Sequence, residues 1–326
     1  MAGDISTMKG LWVEGGHAWL RDDIPRPVPP PGWALVAITN AGVCGTDLQL
    51  VDGYADFSGV LGHEFVGRVV DGSPRWRDRR VVGEINVGCG ECALCLTCGE
   101  GHCRSRRVLG IRDLGGAFAE FLILPERNLH SVPDEVTDQE ASFVEPLAAA
   151  LRVTEQVEIP AGARLLVLGD GRLGQLVARA LHAAGHHVEV AGRHAAKLER
   201  LQRLGIAGSP EGSGGYDLAI ECTGNPTGFA AAVEALRPRG TLVLKSTHAA
   251  PALLDSSDIV VNEIQVVGSR CGPFAPALRE LANRAVSVAD LIDATYPLEQ
   301  AERAIERARE GGVIKVQIAP KSLQDP

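Results

Sequence analysis

The chain has few aromatic residues, no excess of positive charge and no long apolar run. Phe, Trp and Tyr make up 4% of its 326 residues, so its cores must consist of Ala, Val, Leu and Ile. The net charge of -9 would repel a phosphate backbone, which argues against nucleic-acid binding as the main function. No stretch approaches the roughly 18 apolar residues of a membrane span, and the N-terminus lacks a basic region followed by an apolar run. We therefore expect a cytoplasmic protein with no membrane partner.

The length and the pattern of apolar residues predict two domains in an α/β protein. From residue 8 to about residue 124, short β-like runs are separated by Gly and Pro, which is typical of a mostly β domain. After Val144 buried strands alternate with helices, and this alternation predicts a doubly wound parallel sheet, the Rossmann arrangement. A final helix at 298–309 precedes a strand at 313–318.

A glycine-rich turn lies between a predicted strand at 163–168 and a predicted helix at 173–184. It reads Gly-Asp-Gly-Arg-Leu-Gly, which is the GxGxxG dinucleotide fingerprint in the context that the fingerprint requires. The alternative is a turn with no ligand. The fingerprint predicts that the cofactor is bound by Gly169, Gly171, Arg172, Leu173 and Gly174.

The end of the second strand of this domain indicates which dinucleotide is used. An acid normally binds the adenosine ribose there, but this chain has Gly192 and Arg193. The Arg193 guanidinium could hold a 2′-phosphate, with help from His194 or Lys197, so NADP is favoured over NAD. The alternative is that Arg193 is a solvated loop charge and that the protein accepts either cofactor.

Five of the eight cysteines fall within fifteen residues, which indicates a metal site rather than disulfides. Cys89, Cys92, Cys95 and Cys103 have a spacing that one loop can wrap around Zn²⁺. Four thiolates leave no open coordination position, so this zinc should be structural. Cys98 allows a rival ligand set, and its alternative interpretation is a spare thiol.

A second zinc site is predicted from Cys44 and His63, which lie on separate turns of the β domain. A mixed Cys/His site with an open position polarises an alcohol or carbonyl oxygen. Glu145 is the best candidate for the third ligand, and Glu64 is the alternative. Glu145 could instead complement a helix dipole, because Pro146 suits the first helical position.

These motifs resemble the zinc-dependent medium-chain dehydrogenase/reductase family, which includes alcohol, polyol and threonine dehydrogenases. The resemblance covers residues 8–318. It implies a GroES-like catalytic domain at 8–146 and 273–326, interrupted by a Rossmann domain at 147–272. It also implies two zinc ions per chain, NADP or NAD as cofactor, and a homodimer or homotetramer.

The resemblance assigns roles to further residues. Thr46 matches a hydroxyl that contacts the substrate oxygen, and Asp47 matches a carboxylate that orients His63. Lys315 lies where the family often has a basic residue near the pyrophosphate. Gln49 departs from the family, which commonly has a titratable His there to pass the proton to solvent.

The predicted function is hydride transfer between a small-molecule alcohol or carbonyl compound and NADP. Two alternatives are a zinc-independent double-bond reductase of the same superfamily and a non-catalytic regulatory or scaffold protein that binds the cofactor.

Overall fold

A computed structural model describes residues 6–247 and 255–320 of the chain. The chain divides into two compact units. The first unit comprises Met1–Glu145 and Leu291–Pro326, and the second comprises Pro146–Asp290. No helix within the described residues is long and apolar enough to cross a membrane.

The first segment of the first unit is mostly β structure. Its strands are β1 Thr7–Glu14, β2 His17–Pro25, β3 Trp33–Gly42, β4 Gly59–Val60, β5 Glu64–Asp71, β6 Arg80–Gly83, β7 Asn86–Val87, β8 Arg107–Leu109, β9 Asp113–Leu114, β10 Phe121–Pro125 and β11 Leu129–Ser131, and its helices are α1 Gly45–Val51, α2 Ala93–Cys98 and α3 Asp138–Ala141. Strands β2, β1 and β4 form one sheet, and β7, β8 and β9 form another.

The second unit alternates strands with helices. Its elements are α4 Val144–Gln156, which begins two residues before the unit does, β12 Leu165–Leu168, α5 Arg172–Ala183, β13 Val188–Ala191, α6 Ala195–Gln202, β14 Ala207–Ser209, β15 Tyr216–Glu221, α7 Pro226–Ala235, β16 Leu236–Leu244, α8 Ser256–Val261, β17 Gln265–Gly268 and α9 Phe274–Ala282. The strand order is β14-β13-β12-β15-β16-β17, and every pair is parallel. This is the doubly wound Rossmann order, and the prediction of that fold class is confirmed.

The last segment returns to the first unit as β18 Ile292–Pro297, α10 Ala301–Arg309 and β19 Lys315–Ala319. Strand β19 pairs antiparallel with β3, where Ile318 lies opposite Ala41. The main sheet of this unit therefore has the order β11-β6-β5-β3-β19-β18, with β10 also paired to β3. The return of the chain to the β domain is the arrangement that the family resemblance implies.

The division into units differs from the predicted domains at the second crossing. The chain passes from the first unit to the second after Glu145, within one residue of the expected boundary. It returns to the first unit after Asp290, and not after residue 272 as expected. Helix α9 buries Phe274 and Leu281. Arg179 of α5 donates to the Asp290 carboxylate at 2.6 Å and to the Ser287 carbonyl at 2.7 Å. These contacts hold residues 273–290 in the second unit.

Strand β2 was not predicted, and its position explains why. It forms the edge of a three-stranded sheet and leaves most of its side chains at least partly exposed, among them Arg21, Asp22 and Asp23. Such a segment lacks the apolar alternation on which strand prediction depends, because side chains on both of its faces are at least partly exposed.

Candidate active site and cofactor-binding turn

Two strands of the main sheet bring Cys44 and His63 to the same place. Strands β3 and β5 are antiparallel neighbours in which Gly42 lies opposite Glu64. The end of β3 and the beginning of β5 therefore lie side by side. Cys44 follows β3 and His63 precedes β5, so both side chains belong to this end of the sheet.

Helix α1 begins directly after Cys44 and contributes a carboxylate to the site. The Cys44 backbone N–H donates to Asp47 Oδ2 at 2.8 Å. Asp47 Oδ1 lies 3.2 Å from His63 Nδ1, and both residues are buried. Because Asp47 faces Nδ1, the other ring nitrogen is left for a metal ion. That Asp47 orients the imidazole, as the family resemblance implies, stays a prediction.

The electrostatics of this cluster favour a cation. Burial lowers the pKa of His63, but the negative charges of Asp47 and Cys44 raise it, and the net pKa lies well above its usual value. A site that raises the pKa of a buried imidazole holds an excess of negative charge. A divalent ion with a preference for thiolate and imidazole fits this donor set. The Thr46 hydroxyl lies 3.8 Å from Cys44 Sγ.

The structure groups Glu64 with the two predicted ligands. Ligand atoms of Cys44, His63 and Glu64 all lie within 4.8 Å of one another. The Glu64 carboxylate also contacts the Lys315 ammonium, and the two side chains are 1% and 2% exposed. Lys315 lies 5.3 Å from the centre of the Phe143 ring. The lysine expected near the pyrophosphate is therefore buried in an ion pair.

Glu145, the other predicted ligand, lies in the first turn of α4 and is half-buried. It does not belong to the group of ligand atoms within 4.8 Å of one another.

The four cysteines of the predicted structural site converge. Their Sγ atoms are separated by 3.8 Å for Cys89 and Cys95, 3.5 Å for Cys92 and Cys95, 3.9 Å for Cys92 and Cys103, and 3.7 Å for Cys89 and Cys103. Zinc–sulfur bonds of about 2.3 Å in a tetrahedron give edges of about 3.8 Å. The quartet therefore has the dimensions of a closed zinc site, and Cys98 is exposed and does not belong to the group.

The loop around the quartet has little apolar packing of its own. Helix α2 buries none of its residues. Glu100 accepts a hydrogen bond from the Gly88 backbone at 2.7 Å and another from Arg127 at 2.7 Å. A hydrogen bond from Ser105 is the main cause that lowers the pKa of Cys103 to about 6, which favours the thiolate that zinc requires.

The glycine-rich turn of the second unit has the geometry of a phosphate cradle. Gly169 has a φ of 109°, which only glycine adopts readily, and a Cβ at Gly174 would overlap the Gly169 carbonyl oxygen. Gly171 precedes α5, and a Cβ there would meet no atom within 4 Å. Arg172 and Leu173 form the first turn of α5. The open space over Gly171 fits a pyrophosphate at a helix N-terminus.

The structure brings a carboxylate to the end of β13 that the sequence analysis does not predict. As the sequence indicates, β13 is followed by Gly192 and Arg193 and not by an acid, and Arg193 is exposed. Asp170 of the glycine turn nevertheless brings a carboxylate to this point, where it accepts hydrogen bonds from the His194 backbone at 2.7 Å and from the His194 ring at 2.9 Å. Lys197 is buried. Sequence reasoning missed Asp170 because a variable position of the fingerprint carries no signal of its own.

A Rossmann sheet with this turn, in one chain with a Cys/His cluster and a cysteine quartet, defines a metal-containing oxidoreductase that uses a dinucleotide. Models of two families match the sequence. The alcohol dehydrogenase GroES-like domain covers residues 30–134, and the zinc-binding dehydrogenase covers residues 173–287. The chain belongs to the zinc-type medium-chain dehydrogenase/reductase family, and it is an alcohol oxidoreductase.

Similar proteins cover nearly the full length of the chain. A sorbitol dehydrogenase from Halalkalibacterium halodurans is 28% identical, over 94% of this chain and 96% of the relative. An erythritol/L-threitol dehydrogenase from Mycolicibacterium smegmatis is 27% identical, over 96% and 98%. The structure of a zinc-binding dehydrogenase from Sinorhizobium meliloti bound to NADP matches with a TM-score of 0.87 at 28% identity, over 97% of this chain and 100% of that one.

Proposed function

We propose that the protein oxidises a polyol or a similar secondary alcohol with NADP and holds two zinc ions per chain. The observation that carries the proposal is the convergence of Cys44, His63 and Glu64 at one end of the β3–β5 pair, in a chain that also has the fingerprint turn. The similarity to sorbitol and erythritol/L-threitol dehydrogenases supports the choice of substrate class.

Each residue of the site has a separate role in the proposed reaction. Cys44 and His63 would hold the zinc ion, and Asp47 fixes the orientation of the imidazole. When bound, zinc supplies Lewis-acid polarisation and the dinucleotide accepts the hydride. The Thr46 hydroxyl, close to Cys44, is placed to hydrogen-bond the substrate hydroxyl and to take up its proton while its own hydroxyl proton passes towards solvent. Gln49 cannot titrate, so it does not take over that proton.

We propose Glu145 as the third zinc donor, as the family resemblance implies. Glu64 is the alternative, because its carboxylate lies within 4.8 Å of the ligand atoms of Cys44 and His63. The Glu64 carboxylate is already paired with the buried Lys315 ammonium, which would compete with zinc for it. The zinc content of two variants tests which glutamate is the third ligand. Glu145→Gln should lose the catalytic ion, whereas Glu64→Gln should retain it, and the reverse result would assign the ligand to Glu64.

We propose that Arg193 favours NADP. Its guanidinium is exposed at the tip of β13, where a 2′-phosphate would be read. The parent protein should therefore show a higher kcat/KM with NADP than with NAD. A preference for NAD would contradict this part of the proposal.

A substrate panel tests the proposed reaction. Polyols, amino alcohols, cyclitols and aliphatic alcohols should be compared at equal concentration with NADP, with dinucleotide reduction as the readout. We expect the highest kcat/KM with a polyol. Turnover confined to simple primary alcohols would contradict the substrate class.

We further propose that the protein works in the cytoplasm. We also propose that it forms a homodimer or homotetramer, as the family resemblance implies. Light scattering on the purified protein tests the oligomeric state, and a monomer at assay concentration would contradict it.

A further inference from the structure

Asp170 occupies the space that a side chain at position 192 would need. A Cβ added to Gly192 would lie 2.5 Å from Asp170 Cβ and 2.6 Å from Asp170 Oδ2. Contacts that short do not occur between real side chains. A side chain at position 192 and Asp170 therefore exclude each other, and in this chain the carboxylate comes from the glycine turn.

The Asp170 carboxylate is held in a fixed position. The residue is 5% exposed, and Oδ2 accepts the His194 backbone N–H at 2.7 Å. The His194 ring lies 2.9 Å from Oδ1 through Nδ1. A buried carboxylate is unfavourable unless hydrogen bonds stabilise it, and both of these come from one residue at the start of α6. His194 is thus a positioning residue for Asp170.

The location of this carboxylate suggests a function. Asp170 follows β12, and Gly192 follows β13, its parallel neighbour. In a Rossmann sheet the adenosine ribose of a dinucleotide is read at the carboxyl end of the second strand, by an acid that accepts hydrogen bonds from the ribose hydroxyls. Asp170 places an acid at that position from a different element of the chain.

We propose that Asp170 contacts the adenosine 2′ position of the cofactor and counteracts the preference of Arg193 for NADP. The proposal rests on the proposed dinucleotide-dependent function. The Asp170 carboxylate accepts a hydrogen bond from the 2′-hydroxyl of NAD and repels the 2′-phosphate of NADP, whereas Arg193 attracts that phosphate. Asp170 and Arg193, which lie close together beyond β12 and β13, thus act in opposite directions on the choice between NAD and NADP.

The variant Asp170→Asn tests this directly. It removes the charge and keeps the shape. Dissociation constants for NAD and NADP, measured by isothermal titration calorimetry on the full-length protein, give a binding readout that does not depend on turnover. We expect the ratio of Kd for NAD to Kd for NADP to rise about tenfold, because a charged hydrogen bond to NAD is lost and a repulsion of NADP is removed.

A matched control is available in the same unit. Asp217 lies at the opposite end of β15 and accepts a hydrogen bond from the Arg164 backbone at 2.7 Å. Asp217→Asn removes the same charge far from the tip of β13, so the ratio should stay at the parent value. A shift of equal size in this control would mean that net charge, and not the position of Asp170, sets the preference.

A second pair of variants covers the case in which Asp170→Asn does not fold. His194→Ala removes the ring contact and should shift the ratio in the same direction by a smaller factor, whereas His194→Asn can still donate to Asp170 and should restore the parent ratio. If both dinucleotides bind the parent and no variant moves the ratio, Asp170 only anchors the turn and the inference is wrong. If neither dinucleotide binds the parent, it is the proposed function that fails.

Discussion

Lys315→Met should destabilise the protein strongly, because it leaves a buried carboxylate without its partner. The side chains of Lys315 and Glu64 are 2% and 1% exposed. Met has nearly the length of Lys but no charge, so the substitution leaves the Glu64 charge in place without filling or emptying much volume. Removing one partner of a buried ion pair costs about 3–5 kcal/mol.

Thermal denaturation converts this cost into a measurable shift. A chain of this size loses roughly 2 °C in Tm per kcal/mol, so Lys315→Met should lower Tm by roughly 6–10 °C. Lys9→Met is the matched control, because Lys9 pairs with Glu299 at 3.0 Å with both side chains about 40% exposed. An exposed pair contributes less than about 1 kcal/mol, which predicts a shift below about 2 °C.

The double variant Lys315→Met, Glu64→Met removes both charges and should recover much of the lost Tm, since a buried ion pair stabilises no more than apolar residues of similar volume. If Lys315→Met instead falls within about 2 °C of the Lys9→Met control, the pair is not buried as the structure describes. Unchanged stability together with weakened dinucleotide binding would assign Lys315 to the pyrophosphate.

Cys95→Ala should release one zinc ion per chain and lower Tm, because zinc binding is coupled to the folding of a loop with little apolar packing, whereas Cys98→Ala should change neither quantity. Thr46→Ala should lower kcat by roughly a hundredfold and Thr46→Ser should restore it, as measured by dinucleotide reduction; full activity in the alanine variant would remove Thr46 from proton transfer. Arg193→Ala should raise Kd for NADP at least about tenfold and leave Kd for NAD unchanged, while Arg203→Ala, on the exposed face beyond α6, should alter neither.

The features that could be predicted from the sequence depend on short separations. The cysteine quartet lies within fifteen residues, so its spacing alone indicates how the thiolates meet. The fingerprint turn is likewise local, because the strand before it and the helix after it define its context.

The features that could not be predicted depend on register between distant strands. Glu64 approaches Lys315 because β5 and β19 both pair with β3, and the two residues are 251 positions apart in the chain. Asp170 reaches Gly192 because β12 and β13 end at the same level of the sheet. Neither contact leaves a local pattern of apolar residues, glycines or charges that a reading of the sequence could detect.

The central claim is that the Cys44–His63 cluster holds the zinc ion on which alcohol oxidation depends. The most direct test is to measure zinc content, alcohol oxidation and NADP binding together in the parent and in His63→Ala. We predict two zinc ions per chain and turnover in the parent. The variant should retain one zinc ion and bind NADP with the parent Kd, but it should show no turnover. Turnover at the parent rate in a variant that has lost this zinc ion would contradict the claim.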